Sequence, residues 1–205
     1  MGLSTQDNGV ASPTFSEDVL SLEVCGPEQE HLSIIDVPGI FKRTTQGVTT
    51  KADMQMVKSM VTAYMENPRS VMLTVIPANV DIATQEILEM AEEADPNGLR
   101  TLGVLTKPDL VDKGAEKAVV DLIEGRRHVL ALGWSIVRNP GQQELADPST
   151  DRHALEKSFF LREPPWNSLD KERVGVSALQ VRLREILSEH IRNEFPKVSF
   201  PRLAS

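Results

Sequence analysis

Three short stretches carry side chains whose types and spacing suit a single ligand. The first is Asp36-Val37-Pro38-Gly39, directly after the apolar pair Ile34-Ile35. A carboxylate at the end of a strand can hold a magnesium-bound water, and a glycine three residues on lets a backbone N–H approach a terminal phosphate. The same four residues also suit a plain turn. The second stretch is Thr106-Lys107-Pro108-Asp109. An ionised Asp only accepts hydrogen bonds, so it can take two from adjacent donors on one planar edge. Guanine offers such a pair, a ring N–H beside an exocyclic amine. Adenine offers a bare ring nitrogen there and would leave the carboxylate unpaired, which makes selection steep. The stem of Lys107 can lie over the base. The competing role for Asp109 is a helix N-cap. The third stretch is Val137-Arg138-Asn139-Pro140-Gly141-Gln142. Backbone and amide groups there, those of Asn139 and Gln142 included, can close over the other side of a base, although the stretch also reads as a polar turn.

Such residues need strands in front of them. Val71 to Ile76, Thr101 to Leu105 and Ser135 to Val137 read as short buried strands. Between them lie helical patterns near Thr84 to Glu93 and Ala115 to Arg126, and further helices are expected near Asp151 to Leu161 and from Ser177 to Phe195. Ser177 is the expected cap of the last helix, and Pro196 its stop. Val57, Met60, Val61 and Tyr64 recur at helical spacing within residues 52–65, and Asn67-Pro68 ends that helix. Further forward, Val19 to Val24 alternates, Gly26 to Glu30 reads as a turn, and Leu32 to Ile35 as a second strand, which predicts an antiparallel hairpin. Residues 1–17 are polar and small, as in a disordered lead-in. The alternation of strands and helices implies an α/β fold. Its sheet is mostly parallel with helices on both faces, and ligands sit at the carboxyl ends of its strands.

Composition removes some alternatives. The net charge of −8 argues against nucleic acid as a partner. The single Cys25 rules out an internal disulfide and fits a reducing, cytoplasmic setting. No run of about 18 apolar residues suggests a membrane span. The acidic series Glu86, Glu89, Glu92, Glu93 and Asp95 reads as a solvated helix face. His31, His128, His153 and His190 lack metal-ligand spacing. Lys42 and Arg43 suit either a phosphate or partner contact or a solvent-facing pair.

Order joins the separate signals. The Asp36 stretch comes first, a buried strand intervenes, and the guanine-type stretch follows one strand later. With DVPG and TKPD in those places, the chain resembles the dynamin family of large GTPases. Val75 to Asp81 is similar to that family's stretch after the middle strand. Asp95 to Thr101 resembles its link into the TKPD strand. Phe159-Phe160 and Leu179 to Arg192 resemble its closing helices. The resemblance covers about residues 18–198.

What the resemblance implies is a P-loop-GTPase-like domain over residues 18–175, followed by a C-terminal helix and tail over 176–205. GTP is the implied ligand, with nucleotide contacts from Asp36, Gly39, Thr106, Lys107, Asp109, Asn139 and Gln142. Magnesium is the implied cofactor, held by Asp36 through water. Other dynamin-family GTPase domains are implied partners. The family's phosphate loop, G-x-x-x-x-G-K-[ST], has no match here. The only Lys-Ser pairs, Lys58-Ser59 and Lys157-Ser158, lack a preceding glycine and follow DVPG. The expectation is a truncated domain without that loop or the first switch, with no intact catalytic residue and with hydrolysis lost. The alternative is a non-catalytic module that engages intact relatives. A third reading, an unrelated doubly wound enzyme, would need its own catalytic constellation, and none is evident. Little chain is left for the family's stalk, so direct membrane contact is not expected. In such folds the strand leading to the phosphate loop lies between the DVPG strand and the Val71 strand. The sheet is therefore expected to lack its central first strand, with Leu32 to Ile35 pairing directly with Val71 to Ile76 and only marginal stability.

Overall fold

A computed structural model describes residues 15–27, 33–40, 49–147 and 149–194. The chain divides into two compact units, Met1–Asn67 and Pro68–Ser205.

Among the described residues of the first unit, the regular element is helix α1 (Lys51–Met65). Its start is sharply specified. The Thr50 hydroxyl accepts the Asp53 N–H at 3.2 Å, and the Asp53 carboxylate accepts the Thr50 N–H at 2.7 Å. This reciprocal box satisfies two donors that a helix start leaves over. Val57, Val61 and Met65 recur at helical spacing and are buried. The predicted hairpin does not form. Residues 19–24 and 33–35 belong to no strand, and Val19, Leu22, Val24 and Ile34 are all more than 70% exposed. A two-stranded ribbon without a packed face is marginal in water, and alternation alone did not supply that face. Of the segment expected to pair with Val71–Ile76, Ser33 to Ile35 are described and belong to no strand. The lead-in up to residue 14, Leu32, Lys42, Arg43 and Pro196 lie outside the described residues.

The second unit is the α/β body. Its order is β1 (Met72–Pro77), a 3-10 turn at Ile82–Thr84, α2 (Glu86–Ala94), β2 (Thr101–Thr106), a 3-10 turn at Pro108–Leu110, α3 (Glu116–Ile123) and β3 (Trp134–Ile136). Then come α4 (Gln142–Leu145), α5 (Arg152–Arg162), 3-10 turns at Trp166–Ser168 and Lys171–Arg173, and α6 (Val176–Glu194). The strands are parallel in the order β1-β2-β3, with Thr74 opposite Gly103 and Leu105 opposite Ile136. Parallel neighbours require crossovers, which α2 and α3 provide.

Helices cover both faces, as the alternating pattern predicted. Ile76, Leu105, Trp134 and Ile136 pack with Val119, Leu122 and Ile123 of α3 and Phe160 of α5. Leu102, Val104 and Val137 pack with Val176, Leu179, Leu183 and Ile186 of α6. The central strand β2 is buried from Thr101 through Leu105, whereas β1, at the sheet edge, alternates and leaves Leu73 and Val75 exposed. Gly103 is required by packing. A Cβ built there would lie 2.1 Å from Trp134 Cε3. The indole is fully buried, and its Nε1–H donates to the His128 carbonyl at 2.8 Å.

Two local expectations change. Asp95 is not part of a solvated face. It is buried after α2 and accepts the Leu99 and Arg100 N–H groups and the Thr101 hydroxyl, at 3.1, 2.9 and 2.6 Å. Glu89, Glu92 and Glu93 are exposed as expected. Ser177 does not cap α6, which already begins at Val176. The Val176 N–H donates instead to the Glu156 carboxylate of α5. A partner from elsewhere in the fold serves where a local hydroxyl was expected.

Candidate functional site

The central strand delivers Thr106 to the carboxyl edge of the sheet, where it is held on both neighbouring sides. The Thr106 hydroxyl donates to the Ile76 carbonyl at 3.4 Å, and the Thr106 carbonyl accepts the Ala78 N–H at 2.7 Å. On the other side the Val137 N–H donates to the Leu105 carbonyl at 2.9 Å. The chain then turns abruptly. Lys107 takes φ 56° and ψ 47°, a left-handed conformation in a residue with a Cβ. Such a conformation costs about 1–2 kcal/mol for an ordinary L-residue, and strain of this kind gathers at functional sites. Pro108 is buried and begins the 3-10 turn, in which the Leu110 N–H donates to the Lys107 carbonyl at 3.1 Å.

Asp109 lies inside this turn and caps nothing. The residue in the N-cap position is Lys107, and it makes no side-chain cap bond. The Asp109 carboxylate is exposed and has no hydrogen bond or ion pair with any described residue. The Lys107 ammonium is likewise exposed and unpaired among them. A carboxylate and an ammonium thus stand two residues apart at the end of the central strand, with their bonding capacity unused.

The neighbouring loop after β3 is built more tightly. Arg138 sends its guanidinium to both oxygens of Glu144, at 2.7 and 2.9 Å, and lies over the Phe159 ring at 5.7 Å from its centroid. Glu144 also accepts the Gly141 N–H at 2.8 Å. The Arg138 hydrogen bond first, and the Gly141 N–H second, hold the Glu144 carboxyl below its ordinary value. The Arg138 N–H donates to buried Glu156 at 2.9 Å. Asn139 and Gln142 are left exposed on the outside of this framework. Arg138, Glu144 and Glu156 were not singled out by sequence reasoning. For Glu156 a signal existed. It lies four residues before Phe160, on the buried stripe of α5, where a carboxylate needs partners.

Asp36 and Gly39 belong to the first unit. Both are exposed, on a stretch without regular structure, and a Cβ at Gly39 would meet nothing within 4 Å. Thr106, Lys107, Asp109, Asn139 and Gln142 all stand at the carboxyl ends of adjacent strands β2 and β3 in the second unit. Among the described residues no group of three or more His, Cys, Asp or Glu side chains gathers to hold a metal. One exposed carboxylate does not complete the octahedral oxygen shell that magnesium demands. No helix among the described residues is long and apolar enough to cross a membrane.

Comparison with known proteins gives concordant matches along the chain. The Dynamin family model matches residues 4–108, and the model of the Dynamin central region matches residues 118–199. The interferon-induced GTP-binding protein Mx2 of Canis lupus familiaris is 40% identical over 185 residues, which is 89% of this chain and 26% of that protein. The Mx1 protein of Equus caballus is 41% identical over 185 residues, covering 89% of this chain and 28% of its own length. The Mx protein of Epinephelus coioides is 39% identical over 187 residues, 90% of this chain and 30% of its own. The chain therefore spans between 26% and 30% of the length of these relatives.

Proposed function

The chain belongs to the dynamin family, and on that premise we propose that its second unit is the guanine-reading side of a GTP site. Asp109 is the base-selecting carboxylate. It accepts the ring N–H and the exocyclic amine of guanine, and adenine cannot supply that pair. Lys107 lays its aliphatic stem along the base, while Asn139 and Gln142 close the opposite side. Thr106 anchors the turn to β1 through the Ile76 carbonyl. The observation that carries this reading is the unpartnered Asp109 carboxylate, displayed after the central strand on a turn that strains a non-glycine residue.

Asp36 and Gly39 are assigned to the phosphate side by their place in the family pattern. No G-x-x-x-x-G-K-[ST] run occurs in these 205 residues, so this stretch of chain is assigned base recognition and not phosphoryl transfer. Phosphoryl transfer depends on positioning and charge stabilisation around the phosphates. The described donors do not make a magnesium site.

Calorimetric titration of the 205-residue chain with GTP and with ATP tests this reading. GTP is expected to bind weakly and ATP more weakly still. Asp109→Ala is expected to erase the difference, and GTP turnover in magnesium buffer should not exceed a protein-free control. Equal binding of the two nucleotides, unchanged by Asp109→Ala, would remove the guanine site. Turnover that disappears in Asp36→Ala would overturn the restriction to binding.

A further inference from the structure

We propose that Glu156 is a positioning residue for the loop Arg138–Gln142, fixing the start of that loop against the foot of α6. The role in nucleotide binding rests on the guanine-site reading above, whereas the geometry does not. The Glu156 side chain is buried, 6% exposed, on the inner stripe of α5. Its two oxygens are divided between two distant backbone groups. Oε1 accepts the Arg138 N–H and Oε2 accepts the Val176 N–H, each at 2.9 Å. One carboxylate thus joins the residue directly before Asn139 to the first residue of α6.

The surrounding backbone is arranged for this contact. The Gly175 N–H donates to the Ile136 carbonyl at 2.8 Å, and Val174 bridges Ile136 in parallel fashion. Gly175 has φ +85°, and a Cβ there would stand 3.3 Å from Glu156 Oε2. A glycine therefore serves twice, by adopting the left-handed turn and by admitting the carboxylate. Three residues further along α5, Phe159 grips the same loop by its side chain, carrying the Arg138 guanidinium on its ring face. Arg138 is held through its backbone by Glu156 and through its head group by Phe159 and Glu144. Asn139 follows directly on this fixed residue.

The chemistry singles out a carboxylate. Two N–H donors need two acceptors, and a carboxylate is acceptor-only on both oxygens. A glutamine at this place would turn an NH2 group toward one of the N–H donors. An aspartate would keep both acceptors on an arm shorter by one methylene.

Backbone amide NMR and GTP titration on the 205-residue chain test the role, comparing wild type with Glu156→Gln and with Val119→Ala. Val119→Ala opens a cavity under α3 and serves as the control for general loosening. In folded Glu156→Gln, the Arg138 and Val176 amide resonances are expected to move together. Exchange at Asn139 and Gly141 should quicken by about tenfold, and GTP affinity should fall by about tenfold. Val119→Ala should leave loop exchange and affinity unchanged. Undisturbed loop exchange in folded Glu156→Gln overturns the proposal, and so does an equal loop response in Val119→Ala. Should the glutamine variant not fold, Glu156→Asp takes its place with the same readings. If wild type shows no preference for GTP over ATP, the guanine-site reading fails, and amide exchange alone still decides the positioning role.

Discussion

Two motifs of similar sequence character, both expected at strand ends, meet different fates in this molecule. TKPD follows β2, a strand paired on both sides and buried through its first five residues. DVPG follows an equally apolar run, Ile34-Ile35, that belongs to no strand and leaves Ile34 83% exposed. The difference lies in what surrounds each run. A strand is stabilised by its cross-strand and facing neighbours more than by its own residues. At β2 those neighbours are β1, β3, α3 and α6, and the turn that follows inherits a fixed starting point. At Ile34-Ile35 no ladder partner is present among the described residues, so the motif is carried by sequence alone. Precise placement of a carboxylate therefore belongs to the Asp109 turn and not to Asp36.

The contrast is broken or sharpened most strongly by one substitution on each side. Gly103→Ala would drive a Cβ into the buried Trp134 ring, and overpacking of that kind costs about 3 kcal/mol. Ile34→Ala removes exposed atoms and should change stability by less than about 0.5 kcal/mol. Urea unfolding of the two variants measures both effects. Similar losses in the two would mean that the Ile34 run is packed after all.

A smaller effect of opposite sign is expected at Lys107. Replacement by glycine relieves the left-handed strain, so Lys107→Gly should raise stability by about 1 kcal/mol while weakening GTP binding. A stability loss would show that the lysine stem contributes packing the turn needs.

The smallest effect concerns pH. The Glu144 carboxyl titrates below its ordinary 4.5 in the folded protein, chiefly through its hydrogen bond with Arg138. Its contribution to the loop is therefore complete above that ordinary value and is lost as pH falls through the depressed one. Following the Glu144 carboxyl and the Gly141 amide by NMR between pH 6 and about pH 2 should show both changing together, below 4.5. A Glu144 midpoint at or above 4.5 would mean that the Arg138 pair does not persist in solution.

Where the sequence carried a period and a packed partner existed, the reading survived. The apolar runs of β1 and β2 and the stripe Val57, Val61 of α1 are examples. The alternation of Val19 to Val24 was just as regular, but a period specifies which side would face a core and not whether a core is there. Asp109 and Lys107 could be nominated because residue type and the strand before them are both visible in the sequence, and they do follow β2. Glu156 was not picked out, and Asp95 was read as part of a solvated face. Their partners are mostly backbone N–H groups, which nearly every sequence position offers, so only the fold reveals which ones converge. The Ser177 cap failed for a related reason. The donor at the start of α6 found an acceptor 20 residues earlier in the chain.

The burial of Trp134 has an optical consequence. The chain has two tryptophans, Trp134 and Trp166, and both lie buried in the second unit, while its single tyrosine, Tyr64, lies in α1 of the first. Indole emission is thus an intrinsic label for the α/β body alone, whereas far-ultraviolet dichroism also registers α1. Coincident loss of the two signals on heating is the mark of a single cooperative transition. Separation of the two would show the units melting independently, without any probe being introduced.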